Sequence, residues 1–257
     1  MQLTMGKTIV ESFIWYFFLY SMLGYVCEVL YCSLGARRLV NRGFLHGPYI
    51  PVYGFGAIFS IMFLTPFKDF ILLVFLLGLS VCSVIEYVTG LILELGFHTR
   101  LWDYSGRRFS IRGRICLLNS VLFGFLVLAV LYWIQPAVEK WVGGLPGQLR
   151  TVGASGMLLT IAVDTTASIF GMAAFTEKLA RLKRMRELME SRLVVVERLE
   201  AEIGRLHEQL RRAGYRLLDA FPGMRSLDFD LQLGQVRKII EERRAKRNQG
   251  RKHRKGE

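Results

Sequence analysis

The feature that most constrains the fold is a series of five long apolar runs within the first 177 residues. A helix that crosses the hydrocarbon core of a bilayer, about 30 Å thick, needs roughly 20 consecutive apolar residues. Five stretches meet this requirement, at residues 9–34, 49–67, 70–97, 115–136 and 152–176. The sequence therefore predicts an all-α membrane protein, a helical bundle of about five transmembrane helices.

Charge and hydrophobicity are segregated along the chain. A net charge of +13 with 52% hydrophobic residues is unusual for one soluble domain. We predict a transmembrane helical domain over residues 1–177, which holds the apolar runs. Most of the Lys and Arg follow it, in a cytoplasmic amphipathic, coiled-coil-like helix over 178–220 and in residues 221–257, a short basic helix with a disordered polybasic tail.

Every second connection between the apolar runs is positive. The basic connections contain Arg37, Arg38 and Arg42 after the first run, and Arg100, Arg107, Arg108, Arg112 and Arg114 after the third. Because basic loops stay in the cytoplasm, the sequence predicts a multi-pass protein of the inner or plasma membrane, with its N-terminus outside and its C-terminus in the cytoplasm. The first run lacks a small-x-small cleavage site, so we expect it to be a retained span.

Three carboxylates fall inside the apolar runs: Glu28 in the first, Glu86 in the third and Asp164 in the fifth. An acid at the centre of a membrane helix costs about 2.5 to 3.5 kcal/mol on insertion scales, so it is expected to face protein or water. Each is a candidate ligand-binding residue. The alternative is that these acids are protonated, or bonded to Ser, Thr or Asn on a neighbouring helix, and only specify packing.

The connection after the first run, residues 40–56, is rich in glycine and proline. Two glycines and two prolines within residues 43–51 preclude a continuous helix. Irregular backbone survives at membrane depth only where protein or a water-filled cavity satisfies its amides. We therefore expect Asn41, Arg42 and His46 to be directed into a polar cavity, and we include Tyr53 among the candidate ligand-binding residues.

The second polar connection, residues 101–119, is typical of a turn-rich loop that leads into the fourth helix. Its candidate ligand-binding residues are Trp102, Asp103, Tyr104, Arg114 and Asn119. Asp103 can pair with an arginine, and Arg114 precedes a helix N-terminus, where backbone amides favour anions. Together the two connections could bind phosphate or carboxylate. Anchoring of these aromatic and arginine side chains to anionic membrane lipids is the alternative.

Several separated motifs carry a family resemblance. In order they are Glu28, Asn-Arg-Gly-Phe-Leu-x-Gly-Pro at 41–48 with Pro51, Tyr53 and Gly54, Glu86-Tyr87, Leu-Trp-Asp-Tyr-Ser at 101–105 and Gly-Arg-Ile-Cys-Leu at 113–117. Over residues 10–180 the chain resembles a bacterial membrane family called putative ABC-transporter type IV. The resemblance implies a permease-like protein that handles a small or amphiphilic ligand.

A permease of this kind needs partners. The chain has no Gly-x-x-x-x-Gly-Lys-Ser/Thr loop, so a separate ATPase subunit is expected to supply the energy. Five spans are few for a complete pathway, which favours a homodimer or a second membrane subunit. No cysteine and histidine spacing predicts a metal site, and we predict no cofactor.

An intramembrane enzyme is one alternative function. His46, Glu28, Glu86, Asp103 and Arg114 would supply an acid, a base and an anion clamp near lipid headgroups, which suits lipid or prenyl-phosphate chemistry. No nucleophile elbow, zincin or phosphatase signature supports a particular reaction. The enzyme question therefore stays open, with a non-enzymatic role favoured.

A membrane-anchored scaffold or sensor is the other alternative, and it depends on the tail. Leu199, Ile203, Leu206, Leu210, Ala213 and Leu217 alternate steps of four and three on a predicted helix over residues 176–218. A second amphipathic helix is predicted from Leu231 to Arg247, and disorder is expected in the basic residues from Arg243 onward. The basic end suits anionic membrane lipid, whereas nucleic acid is not favoured because no aromatic interleaving accompanies the charge.

Overall fold

The structure is a computed structural model, and it describes residues 2–36, 40, 43–191 and 196–253. This part of the chain is nearly all-α. Its helices are α1 (Gln2–Ala36), α2 (Pro51–Leu64), α3 (Ile71–Phe97), α4 (Leu117–Ala129), α5 (Gln135–Gly143), α6 (Gly147–Ser191), α7 (Val196–Ala220) and α8 (Asp230–His253). Its strands are β1 (Thr99–Arg100), β2 (Ser110–Ile111), β3 (Ile115–Cys116) and β4 (Arg225–Ser226). A 3-10 turn, Thr65–Phe67, follows α2, and a π-helical turn, Val130–Ile134, joins α4 to α5.

Within the described residues, four helical stretches are long and apolar enough to cross a membrane. They are Thr8–Leu34, Ile71–Phe97, Leu117–Gly143 and Gly147–Glu187. The remaining apolar helix, Pro51–Phe67, is shorter. The all-α class is confirmed at this level, while the count of five spans stays a prediction.

The glycine-rich and proline-rich connection is irregular in only part of the predicted segment. Residues 43–50 form no helix, and α2 begins at Pro51, where proline at the first helical position loses no hydrogen bond. The prediction of irregular backbone is therefore wrong from Pro51 to Gly56. Gly54 explains the difference, because a Cβ there would lie 2.3 Å from Ser21 Oγ and 2.7 Å from the Phe17 carbonyl oxygen. The glycine lets α2 pack closely along α1.

The chain divides into two compact units. The first unit consists of Met1–Ile92 and Trp102–Ser168, and the C-terminal unit consists of Leu93–Leu101 and Ile169–Glu257. In the first unit, one core cluster joins Trp15, Tyr16 and Tyr20 of α1 to buried residues of α2, α5, α6 and the π-helical turn. The predicted domain boundaries at 177 and 220 stay predictions.

The C-terminal unit has its own core. Its buried residues are Met172, Phe175, Leu179, Leu182 and Met185 of α6, Leu206, Leu210 and Leu217 of α7, and Leu233, Val236 and Ile240 of α8. Strand β1 pairs antiparallel with β4, with Thr99 opposite Ser226. Helix α8 continues past Arg247 to His253, a stretch in which Gln249, Arg251 and Lys252 are good helix formers.

The predicted single helix over 176–218 is described as the end of α6, to Ser191, and as α7 from Val196. Residues 192–195 lie outside the described residues. The seam positions Leu206, Leu210 and Leu217 are buried within the C-terminal unit. The coiled-coil character of this helix stays a prediction.

Candidate functional site

Helices α1 and α2 bring Glu28 and Tyr53 together. A Cβ on Gly24 would lie 2.3 Å from the Tyr53 ring, so glycine at this position leaves room for the tyrosine. Glu28 follows Gly24 by four residues and so lies on the same face of α1. The Tyr53 hydroxyl donates a hydrogen bond to Glu28 Oε2 at 2.8 Å. The close approach of the two helices thus fixes a tyrosine–carboxylate pair.

A second tyrosine–carboxylate pair joins α3 to the connection that follows it. The Tyr104 hydroxyl donates a hydrogen bond to Glu86 Oε1 at 3.3 Å, and Glu86 is only 8% exposed. Glu86 Oε2 is buried and has no hydrogen-bond partner among the described residues. A buried polar atom left without a partner costs about 1–3 kcal/mol, and more when it is charged.

The two pairs are close enough to share an electrostatic environment. The pKa of Tyr104 is raised above its ordinary value, first by burial and then by the negative charges of Glu86 and Glu28. Both carboxylates therefore act on one hydroxyl, although they belong to different helices. This places Glu28 and Glu86 in one polar region of the first unit.

The connection between α3 and α4 is a short hairpin that holds Trp102, Tyr104 and Arg114 in place. Strands β2 and β3 pair antiparallel, and Gly113 takes a positive φ of 73° at the turn between them. The Tyr104 amide donates to the Gly113 carbonyl at 2.8 Å, and Trp102 Nε1 donates to the Arg114 carbonyl at 3.0 Å. These bonds tie the start of the connection to its end.

Arg114 is engaged with Tyr87 of α3. Its Nη1 donates to the Tyr87 hydroxyl at 3.0 Å, and its guanidinium carbon lies 5.0 Å from the centre of the same ring. A cation above an aromatic face is stabilised by about 0.5–2 kcal/mol, depending on its desolvation. Arg114 is only 7% exposed, so this contact holds a buried cation beside α3.

The other candidates of this connection have local settings. Asp103 Oδ1 accepts a hydrogen bond from the Ser105 amide at 2.9 Å and another from the Ser105 hydroxyl, which is the pattern of an Asx turn. Asn119 is half-buried in the first turn of α4. We define the Glu86 cluster as seven residues. They are the two tyrosine–carboxylate pairs, Glu28 with Tyr53 and Glu86 with Tyr104, together with Tyr87, Trp102 and Arg114, which are hydrogen-bonded to one another.

Asp164 of α6 forms a different group with the irregular connection after α1. Its Oδ1 accepts from the His46 amide at 2.9 Å and lies 2.9 Å from His46 Nδ1, and Ser168 Oγ donates to it at 3.2 Å. Its Oδ2 accepts from the Gly47 amide at 2.7 Å and from the Tyr49 hydroxyl at 2.6 Å. We call these five residues the Asp164 cluster.

The Asp164 cluster holds the connection in place. The pKa of Tyr49 is raised, first by burial and then by its hydrogen bond to the Asp164 carboxylate. His46 is exposed over 57% of its side chain, so it lies at the edge of this group. Asp164 thus accepts the hydrogen bonds of the His46 and Gly47 amides. Irregular backbone at membrane depth needs such an acceptor from a neighbouring protein group.

Sequence reasoning located most of the members of both clusters, but not all. Gly47, Tyr49, Tyr87 and Ser168 were missed as site residues, although Gly47 directly follows His46 and Tyr87 directly follows Glu86 in the motifs. Asn41 and Arg42 lie outside the described residues. No group of three or more His, Cys, Asp or Glu side chains that could hold a metal ion occurs in the described ranges.

The fold and these clusters define a helical membrane protein with polar side chains buried among apolar helices. The chain belongs to the family described as Putative ABC-transporter type IV, whose model matches residues 15–169. The expected resemblance is thereby confirmed, and the match includes every residue of the Glu86 and Asp164 clusters. Comparisons with curated proteins and with solved structures each found no match.

Proposed function

We propose that this protein is a permease-like membrane protein that handles a small or amphiphilic ligand through a polar pocket at the Glu86 cluster. Glu86 Oε2 carries the proposal, because it is a buried acceptor with no hydrogen-bond partner among the described residues. A buried acceptor in this condition is a point at which a bound group gains a hydrogen bond without displacing an existing one. Membership in a transporter-type family supports the same conclusion.

The proposed topology has five spans, with Pro51–Phe67 as the fifth and with the Glu86 cluster near the cytoplasmic face. At about 1.5 Å per residue, a helix over Pro51–Phe67 is roughly 25 Å long, which is somewhat short for a typical bilayer. Arg107, Arg108 and Arg112 are exposed in the connection after α3, as expected of a cytoplasmic loop. Residues 178–257 then lie in the cytoplasm.

Energy coupling is proposed to come from a separate ATPase subunit, and the pathway to be completed by a second copy of this chain or by another membrane subunit. The full sequence contains no phosphate-binding loop, so the chain cannot itself bind and hydrolyse ATP in the manner of P-loop proteins. The basic end of the chain is proposed to contact anionic lipid.

The function is tested by measuring how small molecules distribute between cells and medium. Cells that express wild-type protein are compared with cells that express Glu86→Gln at equal membrane levels. We expect the wild-type protein to change the distribution of at least one class of small molecule. In cells that express Glu86→Gln, the distribution of that class should equal the distribution in cells without the protein. Glu139→Gln is the matched control, because Glu139 is exposed on α5.

Identical small-molecule profiles with wild-type protein, with Glu86→Gln and without the protein would remove the permease proposal. A second measurement identifies what copurifies with the protein in a mild detergent. An ATPase supports transport. A changed profile of membrane lipids, with no change in soluble molecules, would instead indicate an enzyme.

A further inference from the structure

We infer that the Glu86 cluster binds a positively charged group that donates N–H hydrogen bonds, such as a primary ammonium, and does not bind the phosphate or carboxylate that the sequence suggests. The inference rests on the proposed function, because it specifies the ligand class of the same pocket. It depends on three features of the cluster: the charge of its carboxylates, the unpaired oxygen of Glu86, and the engagement of Arg114.

The carboxylates set the sign of the charge that the cluster favours. Glu28 and Glu86 act together on the Tyr104 hydroxyl, and each already accepts one hydrogen bond from a tyrosine. Each acid, when ionised, repels an anion and attracts a cation. The attraction is stronger than in water because the surroundings are apolar, and a cation beside Glu86 also favours the ionised form of its carboxyl group.

The unpaired oxygen specifies the kind of cation. When the Glu86 carboxylate is ionised, its Oε2 accepts hydrogen bonds and donates none, and no described residue donates to it. A quaternary ammonium carries charge but no N–H, so it would leave this oxygen without a donor. A primary ammonium has three N–H groups and removes the deficiency. The geometry therefore favours a donor cation over a cation without donors.

Arg114 does not make the cluster an anion site. Its Nη1 already donates to the Tyr87 hydroxyl, its guanidinium lies over the Tyr87 ring, and the residue is 7% exposed. A phosphate or carboxylate would have to displace these contacts to reach the guanidinium. The aromatic rings of Tyr53 and Phe123, whose centres are 6.3 Å apart, add faces and edges suited to an organic cation with an apolar part.

Three probes that share a phenyl ring and differ in their head groups test the inference. Benzylammonium is a donor cation, benzyltrimethylammonium is a cation without N–H, and benzoate is an anion. Binding is measured by equilibrium dialysis against the full-length protein in nanodiscs of phosphatidylcholine, a lipid without net charge. We expect saturable binding of benzylammonium, weaker binding of benzyltrimethylammonium, and no saturable binding of benzoate.

Two variants test whether probe binding depends on the Glu86 cluster. We expect Glu86→Gln to weaken benzylammonium binding at least about tenfold, since hydrogen bonds to charged groups have effects of this size. Glu139→Gln should bind like wild type. Apparent unfolding temperatures of all three proteins, measured without probe, show that the variants are folded.

The possible outcomes separate this inference from the proposed function. Tighter binding of benzoate than of benzylammonium, absence of saturable benzylammonium binding, or equal binding by Glu86→Gln and wild type would each overturn the inference. If these results accompanied a Glu86-dependent change in small-molecule distribution, the permease proposal would stand and only its ligand class would be wrong.

Discussion

Asp164 and Glu86 are both acids within long apolar helices, but their surroundings differ. Both oxygens of Asp164 accept hydrogen bonds, from the His46 and Gly47 amides and from the Tyr49 and Ser168 hydroxyls. Glu86 accepts one hydrogen bond, and its second oxygen is buried without a donor in the described residues. An acid in an apolar helix can thus have both oxygens bonded to its neighbours, as Asp164 does, or keep one oxygen without a donor among the described residues, as Glu86 does. We propose that the second arrangement serves ligand binding.

The largest effect is expected at Asp164. Asp164→Ala leaves the Gly47 amide and the Tyr49 hydroxyl without their acceptor, and we expect a loss of about 3 kcal/mol or more in the free energy of unfolding. The measurement is chemical unfolding in detergent, followed by tryptophan fluorescence. Asp164→Asn keeps one acceptor oxygen and should lose less. Equal stability of Asp164→Ala and wild type would contradict the anchoring role.

A steric change at Gly54 tests how far the Glu86 cluster depends on the close packing of α1 against α2. Gly54→Ala places a methyl group 2.7 Å from the Phe17 carbonyl oxygen, which forces α1 and α2 apart and disturbs the Tyr53–Glu28 pair. We expect a loss of about 1–3 kcal/mol. The matched control is Gly56→Ala on the same helix, where the nearest atom is Cys82 Sγ at an ordinary 3.5 Å. If both variants unfold alike, close approach at Gly54 is not important.

At Glu86, stability and function should respond differently. Glu86→Gln keeps the shape of the side chain and removes a buried ionisable group, so we expect the free energy of unfolding to change by no more than about 1 kcal/mol. Ligand handling should nevertheless be lost. A strong destabilisation by Glu86→Gln, comparable to that of Asp164→Ala, would show that Glu86 is a second anchor and would remove the contrast.

The smallest effect is expected at His207, a half-buried histidine of the C-terminal unit. The pKa of His207 is lowered, first by burial and then by the positive charge of Arg186, and His207 Nε2 has no partner among the described residues. The neutral ring is therefore favoured in the folded state. Stability is retained above the unfolded-state pKa, about 6.5, and is lost as the pH falls below it.

His207→Leu tests this pH dependence. Between pH 7.5 and pH 5.5, the unfolding temperature of the variant should decrease less than that of wild type, because the variant has no ring to protonate at this position. Thermal unfolding of the full-length protein at both pH values is the measurement. Identical pH dependence of the two proteins would show that protonation of His207 has no role in stability.

The sequence predicted well those features that depend on local composition. The third apolar run was expected at 70–97 and forms α3 at Ile71–Phe97, because a long run of mainly apolar residues without proline favours one continuous helix. The break after α1 was also predicted, since glycine and proline act locally. The extension of that break past Pro51 was wrong, because glycine in α2 serves close packing with α1 and does not end the helix.

Contacts between distant residues were beyond the sequence. The hydrogen bond from the Gly47 amide to Asp164 joins residues that are 117 positions apart, and no spacing rule predicts it. Asp164 was therefore assigned to ligand binding on residue type alone. The β1–β4 pairing was missed for the same reason, because strands of two residues carry no alternating pattern that could be recognised.

The β1–β4 pairing affects how truncated or tagged forms of this protein should be made. Strand β4 at Arg225–Ser226 pairs with the segment directly after α3, and the Leu227 amide donates to the His98 carbonyl at 2.8 Å. When the chain is cut before residue 225 and a reporter is fused to the cut end, β4 is missing and β1 loses these backbone partners. Fusions intended to locate the C-terminus should therefore follow α8, so that the exit of α3 keeps its native hydrogen bonds.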